Sequence, residues 1–255
     1  MPALYAPFII MILALVFRGV AFEYRWRDKA HEKIWDRSFF FGSLIAAFCQ
    51  GIVLGAFVQG IEVDGRAYGG GWWDWLTPFT MTCGIALVAG YALLGTTWLV
   101  LKTEGTLRDS AYRFAIRSGL ATLAFVGIVS LWTPFLSPEI AERWFTFPQL
   151  LFVLPVPTFT AILAATLGWS LIKRKDAIAF PTTIGLFALC FAGLGIGITP
   201  YIVPRAITIQ EAAAPDSSLL FMLVGAVILL PLILAYTAYS YWVFRGKVDP
   251  DAGYH

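Results

Sequence analysis

Residues 79–105 read FTMTCGIALVAGYALLGTTWLVLKTEG. The first 23 of them carry no charge, and the run stops at Lys102 and Glu104. Wound as an α-helix at about 1.5 Å per residue, they reach about 35 Å, enough to cross the roughly 30 Å hydrocarbon layer of a bilayer. Six further apolar segments of similar length flank this one, at about 2–22, 39–60, 114–135, 147–172, 180–203 and 219–244. The expected fold class is therefore all-α: a polytopic transmembrane bundle of seven helices, forming a single integral membrane domain over residues 1–255.

Composition supports the reading. Hydrophobic residues make up 59% of the chain and charged residues 13%, about half the charged fraction of a soluble domain. A membrane β-barrel needs shorter segments of alternating polarity, which this sequence lacks. A net charge of +2, with the basic residues confined to short loops, gives no footprint for nucleic acid. Cys49, Cys83 and Cys190 lie in apolar segments without CxxC spacing, so they read as small buried hydrophobes. No basic region precedes the first apolar run, as a cleaved signal peptide requires.

Lysine and arginine distribute unevenly over the connections. One side carries Arg25, Arg27, Lys29, Lys33, Arg37, Lys102, Arg108, Arg113, Arg117, Lys173, Arg174, Lys175, Arg245 and Lys247, against Arg66, Arg143 and Arg205 on the other. The excess of positive charge stays in the cytoplasm. Residue 1 is thus expected on the periplasmic side of a bacterial inner membrane and the C-terminus in the cytoplasm. Trp72, Trp73, Trp75 and Trp144, with Tyr68 and Tyr201, mark the outer interface, where amphipathic rings settle. A role of that cluster in quinol access is the alternative reading. Pro155, Pro157 and Pro231 are expected to give kinks or partly unwound turns, and Pro200 and Pro204 to end their helix.

Few ionisable or amide groups reach membrane depth, and these carry most of the functional weight. Arg18 is embedded in the first segment; it either snorkels to the headgroups or pairs with a carboxylate or anion at a subunit boundary. Glu23 is near but five positions away, which is not a favoured helical pairing. Gln50 and Gln59 need amide partners inside a bundle or on a neighbouring chain. Tyr91 is a mid-segment polar handle. Trp98, Lys102 and Glu104 mark the inner interface, with Gly105 as a helix stop. Gly84, Gly90 and Gly95, and Gly193, Gly195 and Gly197, permit close helix approach.

The two histidines, His31 and His255, both fall outside the apolar segments, so no intramembrane bis-histidine haem site is expected. Met11, Met81 and Met222 read as packing residues rather than axial ligands. No Walker lysine, HExxH or dinucleotide fingerprint occurs. No catalytic, cofactor-binding or metal-binding residue is expected in this chain.

Two long runs carry a resemblance. MPALYAP at residues 1–7 followed by FRGVAFEYR at 17–25, and GIALVAGYALLGTTWLVLKTEG at 84–105, are similar to subunit II of the cytochrome bd quinol oxidases; FAGLGIGITPYIVP at 191–204 agrees. The resemblance covers essentially the whole chain. It implies an accessory subunit that ligates no haem and supports a larger subunit I, which carries haem b and haem d. The complex oxidises quinol and reduces oxygen to water. A small single-helix subunit is a further candidate partner, and a structural quinone a candidate ligand, alongside lipid.

Relatives of this family begin with two further helices, an acidic stretch and a Gly-Asn-Glu-Thr-Trp motif. The resemblance thus implies that seven helices are the remainder of a nine-helix subunit and that the chain is a fragment or a late-start gene product. Acidic residues of the missing part pass no role to this chain. Two other classes compete: a secondary transporter, which fits the prolines but not the thin polar inventory, and a structural membrane protein without a redox partner.

Overall fold

The computed structural model describes residues 2–65, 67–147, 149–204 and 206–248. Arg66, Arg205 and His255 lie outside the described residues, as does the side chain of Arg143. Among the described residues seven helices are long and apolar enough to cross a membrane. They are α1 (Tyr5–Arg27), α2 (Glu32–Gln59), α3 (Pro78–Lys102), α4 (Gly105–Trp132), α7 (Pro155–Ile172), α8 (Asp176–Ile198) and α10 (Asp216–Val243). The shorter α5 (Pro138–Phe145), α6 (Gln149–Val153) and α9 (Ile209–Ala212) lie in the connections. Two small antiparallel hairpins, β1 (Val63–Asp64) with β2 (Ala67–Tyr68) and β3 (Tyr201–Val203) with β4 (Ile207–Thr208), occupy the ends opposite the basic loops. The all-α polytopic architecture is the one the apolar runs dictate.

Helices α1 to α4 pack in sequence as antiparallel neighbours, α7 pairs with α8, and α8 and α7 close against α3 and α4. The most buried cluster lies where these meet near the basic end: Leu93 and Val100 of α3, Tyr112 and Ala115 of α4, Leu167 and Leu171 of α7, and Leu186 of α8. Close approach of α2 and α3 depends on missing side chains. A Cβ on Gly51 would stand 2.6 Å from the Cys83 carbonyl oxygen, and one on Gly84 would meet the Phe48 ring at 2.6 Å. Gly51 and Gly55, one turn apart, therefore form the small-residue seam against α3. Of the glycines singled out above, Gly84, Gly90 and Gly193 are packed, whereas Gly95, Gly195 and Gly197 face open space.

Hydroxyl groups inside the spans are satisfied locally. Thr97 donates to the Leu93 carbonyl at 2.8 Å, Thr183 to Ala179 at 2.9 Å and Thr122 to Ser118 at 2.7 Å. With no water in the hydrocarbon, back-bonding of this kind spares the cost of an unpaired donor.

At Pro155 and Pro157 the expected interruption is a single turn residue, Leu154, between α6 and α7. Leu154 keeps helical dihedrals, and Pro155 opens α7 at its first position, where the amide proton it lacks has no intrahelical acceptor anyway. Pro200 and Pro204 fall beyond the end of α8 at Ile198, and Pro231 lies inside α10, as Pro181 does inside α8. Gly105 does not stop α3: Thr103 caps that helix, and Gly105 begins α4 with φ +60°, a conformation that favours glycine.

Helix α10 differs from the others. None of its residues is buried, and its apolar side chains face outward all round. In a bilayer such exposure is lipid or protein contact rather than a fault. It does mean that α10 is fastened to this chain chiefly at one end.

Candidate functional site

That fastening is a polar clasp at the basic end, built on Asp176. The connection from α7 to α8 is only three residues, Lys173 to Lys175. It closes as a Schellman turn: Lys175 N–H donates to the Ser170 carbonyl at 2.8 Å and Arg174 N–H to Leu171 at 3.4 Å. Arg174 takes the left-handed position with φ +52°, which glycine usually fills. Its guanidinium reaches Asp109 of α4 at 2.6 Å. The turn delivers Asp176 to the first turn of α8, where the helix dipole favours a carboxylate.

Asp176 gathers three donors from distant parts of the chain. The Tyr112 hydroxyl donates at 2.6 Å, Lys247 at 2.6 Å and Arg108 at 3.3 Å. Lys247 also donates to the carbonyls of Thr103 at 3.0 Å and Val100 at 3.3 Å. Reciprocally, Lys102 donates to the carbonyls of Phe244 and Gly246, and Val248 N–H to the Lys102 carbonyl at 2.8 Å. The carbonyls left open at the ends of α3 and α10 are thus capped by each other's lysines.

Just within the membrane from the clasp lies an aromatic shelf. Trp98 meets Phe180 at 4.9 Å and Tyr241 edge-on at 5.7 Å between ring centroids, and the Lys102 ammonium sits 5.1 Å from a Trp98 ring. Clasp and shelf border a cavity of about 390 Å³.

The structure brings some of the expected residues together and separates others. Trp98 and Lys102 meet in the clasp. Gln50 of α2 accepts a hydrogen bond of 2.8 Å from the Tyr91 hydroxyl of α3, and Tyr91 stacks on Phe187 of α8 at 6.0 Å. Arg18 is exposed, with its guanidinium 5.4 Å from the Phe39 ring, and does not bridge to Glu23. Glu23 pairs with Arg27, four residues on, at 3.3 Å. Glu104 precedes α4 without making a side-chain cap. Sequence reasoning passed over Asp176, Tyr112, Arg108 and Lys247. The one available signal was a lone carboxylate directly after Lys173-Arg174-Lys175, at the start of an apolar run.

The opposite end carries a wider cavity of about 870 Å³, bordered by Gln59, Glu62, Asp64, Tyr68 and Asp74. Gln59 finds its partner here, accepting from Thr77 at 2.7 Å; Thr77 in turn caps α3 in a reciprocal box with Thr80. The Tyr68 hydroxyl contacts the Gly71 carbonyl at 2.8 Å and Asp74 at 2.9 Å. Burial, then the neighbouring Asp74 carboxylate, pushes this phenol up to about 12. Glu211 lies below the usual carboxylate range because the backbone N–H and hydroxyl of Thr208 donate to it. On the basic side, Asp28 is also lowered, first by its hydrogen bond to His31 and against some burial. Among the described residues no group of three or more His, Cys, Asp or Glu is placed to hold a metal ion.

Among the described residues neither end aligns a nucleophile with a base. The chemistry of the basic end is electrostatic and mechanical: it joins the ends of α3, α4, α8 and α10 that meet there.

Known proteins share this architecture and sequence. The family described as cytochrome bd terminal oxidase subunit II matches residues 1–244. The cytochrome bd ubiquinol oxidase subunit 2 of Bacillus subtilis is 30% identical over 261 residues, which cover 96% of this chain and 73% of that protein. The cytochrome bd-I ubiquinol oxidase subunit 2 of Escherichia coli K12 is 25% identical over 283 residues, covering 97% of this chain and 75% of that one. The bd oxidase structure from Geobacillus thermodenitrificans contains a chain of the same fold, with a TM-score of 0.77 at 17% identity over 94% of this chain and 74% of that chain. The protein is a multi-pass membrane protein that belongs to the cytochrome bd terminal oxidase subunit II family.

Proposed function

We propose that the chain is the accessory subunit of a quinol:oxygen oxidoreductase, and that its work is to assemble and stabilise a larger haem-bearing subunit I. The family match carries the proposal. The donor set of the membrane helices supports it: they hold methionine and cysteine but no histidine, His31 lying in the short connection before α2 and His255 at the final position. No bis-histidine pair can form within these helices, and the proposal assigns haem b and haem d to the partner, where they would supply the electron transfer and oxygen reduction. The basic ends of the helices lie in the cytoplasm and residue 1 on the periplasmic side, following the uneven lysine and arginine distribution.

In this reading Arg18, Glu23, Gln50 and Tyr91 belong to contacts with other chains or a structural quinone. Arg18 is exposed near membrane depth, and the amide nitrogen of Gln50 retains donors that lipid cannot satisfy. Trp98, Lys102 and Glu104 serve the inner interface. The test is purification in mild detergent through a tag on this chain. Co-isolation of a larger subunit with reduced-haem absorption bands is the expected result. A stable, colourless chain recovered alone, from cells that express the haem-bearing partner, overturns the proposal.

A further inference from the structure

The 390 Å³ cavity at the basic end has two chemically distinct walls. Trp98, Phe180 and Tyr241 form an apolar side continuous with the membrane span, while Lys102, Arg245 and Lys247 stand at its polar rim against a single carboxylate, Asp176. Among the described lining residues cations outnumber carboxylates, and the donors are not all engaged. Lys247 spends its three N–H groups on Asp176, Val100 and Thr103. Lys102 uses two of three, on Phe244 and Gly246. Among the described residues Arg245 donates one long bond, 3.5 Å to the Trp242 carbonyl, and lays its guanidinium 4.6 Å from the Trp242 ring. Stacking on Trp242 holds the planar group, and among the described residues most of its five donors have no acceptor.

We propose that this cavity binds an anionic phospholipid, with its phosphate at Arg245 and Lys102 and an acyl chain along the shelf of Trp98, Phe180 and Tyr241. Guanidinium and ammonium groups recognise a phosphodiester through charge-assisted hydrogen bonds. A basic pocket between helix ends at headgroup depth is suited to that ligand. The apolar wall gives a lipid an advantage over a free anion, because only the lipid fills both halves. Bound there, it bridges α10 to α3 and α8, the helix otherwise attached to this chain mainly through its end.

The measurement is native mass spectrometry of the tagged protein, with whatever subunits co-isolate, released from micelles doped with phosphatidylglycerol or phosphatidylcholine. The expected result is retention of phosphatidylglycerol with a preference of about five- to thirtyfold, as expected for one or two added cationic contacts. R245Q should abolish the preference. A177W, which puts a bulky ring on the cavity lining without altering any charge, should abolish retention. Equal retention of the two lipids, or retention unchanged in R245Q and A177W, overturns the proposal. So does displacement of the lipid by millimolar inorganic phosphate, which would make the site one for free anions. Failure of a haem subunit to co-isolate would count against the function proposed above and leave this measurement intact.

Discussion

Lys247, beyond the last helix, places its ammonium 2.6 Å from a carboxylate oxygen of Asp176, 71 residues earlier in the chain. Both side chains are mostly buried, with relative exposures of 29% and 23%. The pair therefore lies between surface bridges worth about 0–1 kcal/mol and buried ones whose breakage costs about 3–5 kcal/mol. D176N should destabilise the protein by about 2 kcal/mol, and K247Q by a similar amount. The double variant should cost less than the sum, since the two act through one contact. Thermal unfolding of the four proteins in the same detergent checks this. Strict additivity would show that the pair is not coupled.

Arg174 combines an unfavourable backbone with a favourable side chain. R174A and R174G both lose the 2.6 Å contact to Asp109, which is exposed and contributes little. Only R174G relieves the left-handed strain of φ +52°. R174G is expected to be more stable than R174A by about 1 kcal/mol. Equal melting temperatures would mean that the turn relaxes around alanine.

The α2–α3 seam has no room at Gly51. A valine there drives a branched Cβ into the Cys83 carbonyl and the Gly84 backbone. We expect G51V to lose at least about 3 kcal/mol, the upper end of overpacking costs, and to reduce the yield of folded protein. G95V, at a position with nothing within 4 Å, is the matched control and should fold normally within this chain.

Tyr68 gives a pH signature. Its phenol titrates near 12 in the folded protein, against about 10 in an unfolded chain. The neutral form is therefore favoured by folding. Its contribution is complete below pH ~10 and is lost as the pH rises toward 12. The difference in phenolate absorbance between wild type and Y68F should rise near pH 12, and D74N should move that rise downward. A difference curve centred at the ordinary tyrosine value would contradict the Tyr68–Asp74 hydrogen bond.

What the sequence shows, and fails to show, follows from distance along the chain. Trp98 and Lys102 lie one helical turn apart, so their meeting is implicit in the spacing. Arg18 and Glu23 look close in a linear reading. Five residues at about 100° each place them about 140° apart around the helix, and Glu23 turns instead to Arg27 on its own face. Gln50 and Tyr91 were each visible as polar groups in apolar runs. Their bond joins residues 41 positions apart and needed the α2–α3 register, which Gly51 and Gly84 set by steric contact. Asp176 was hidden by its setting, because one carboxylate beside three cations looks like an ordinary loop charge.

The sequence by itself determined the seven apolar helices, because hydrocarbon demands long uncharged runs with internally bonded backbones. Its charges also divided the two ends of the bundle. Only the tertiary structure decided that Asp176 is the centre of the basic end, since Tyr112, Arg108 and Lys247 converge on it from α4 and the segment after α10. Hydrophobicity is read residue by residue, whereas a shared carboxylate depends on which helix ends the packing brings within 3 Å or so of one another.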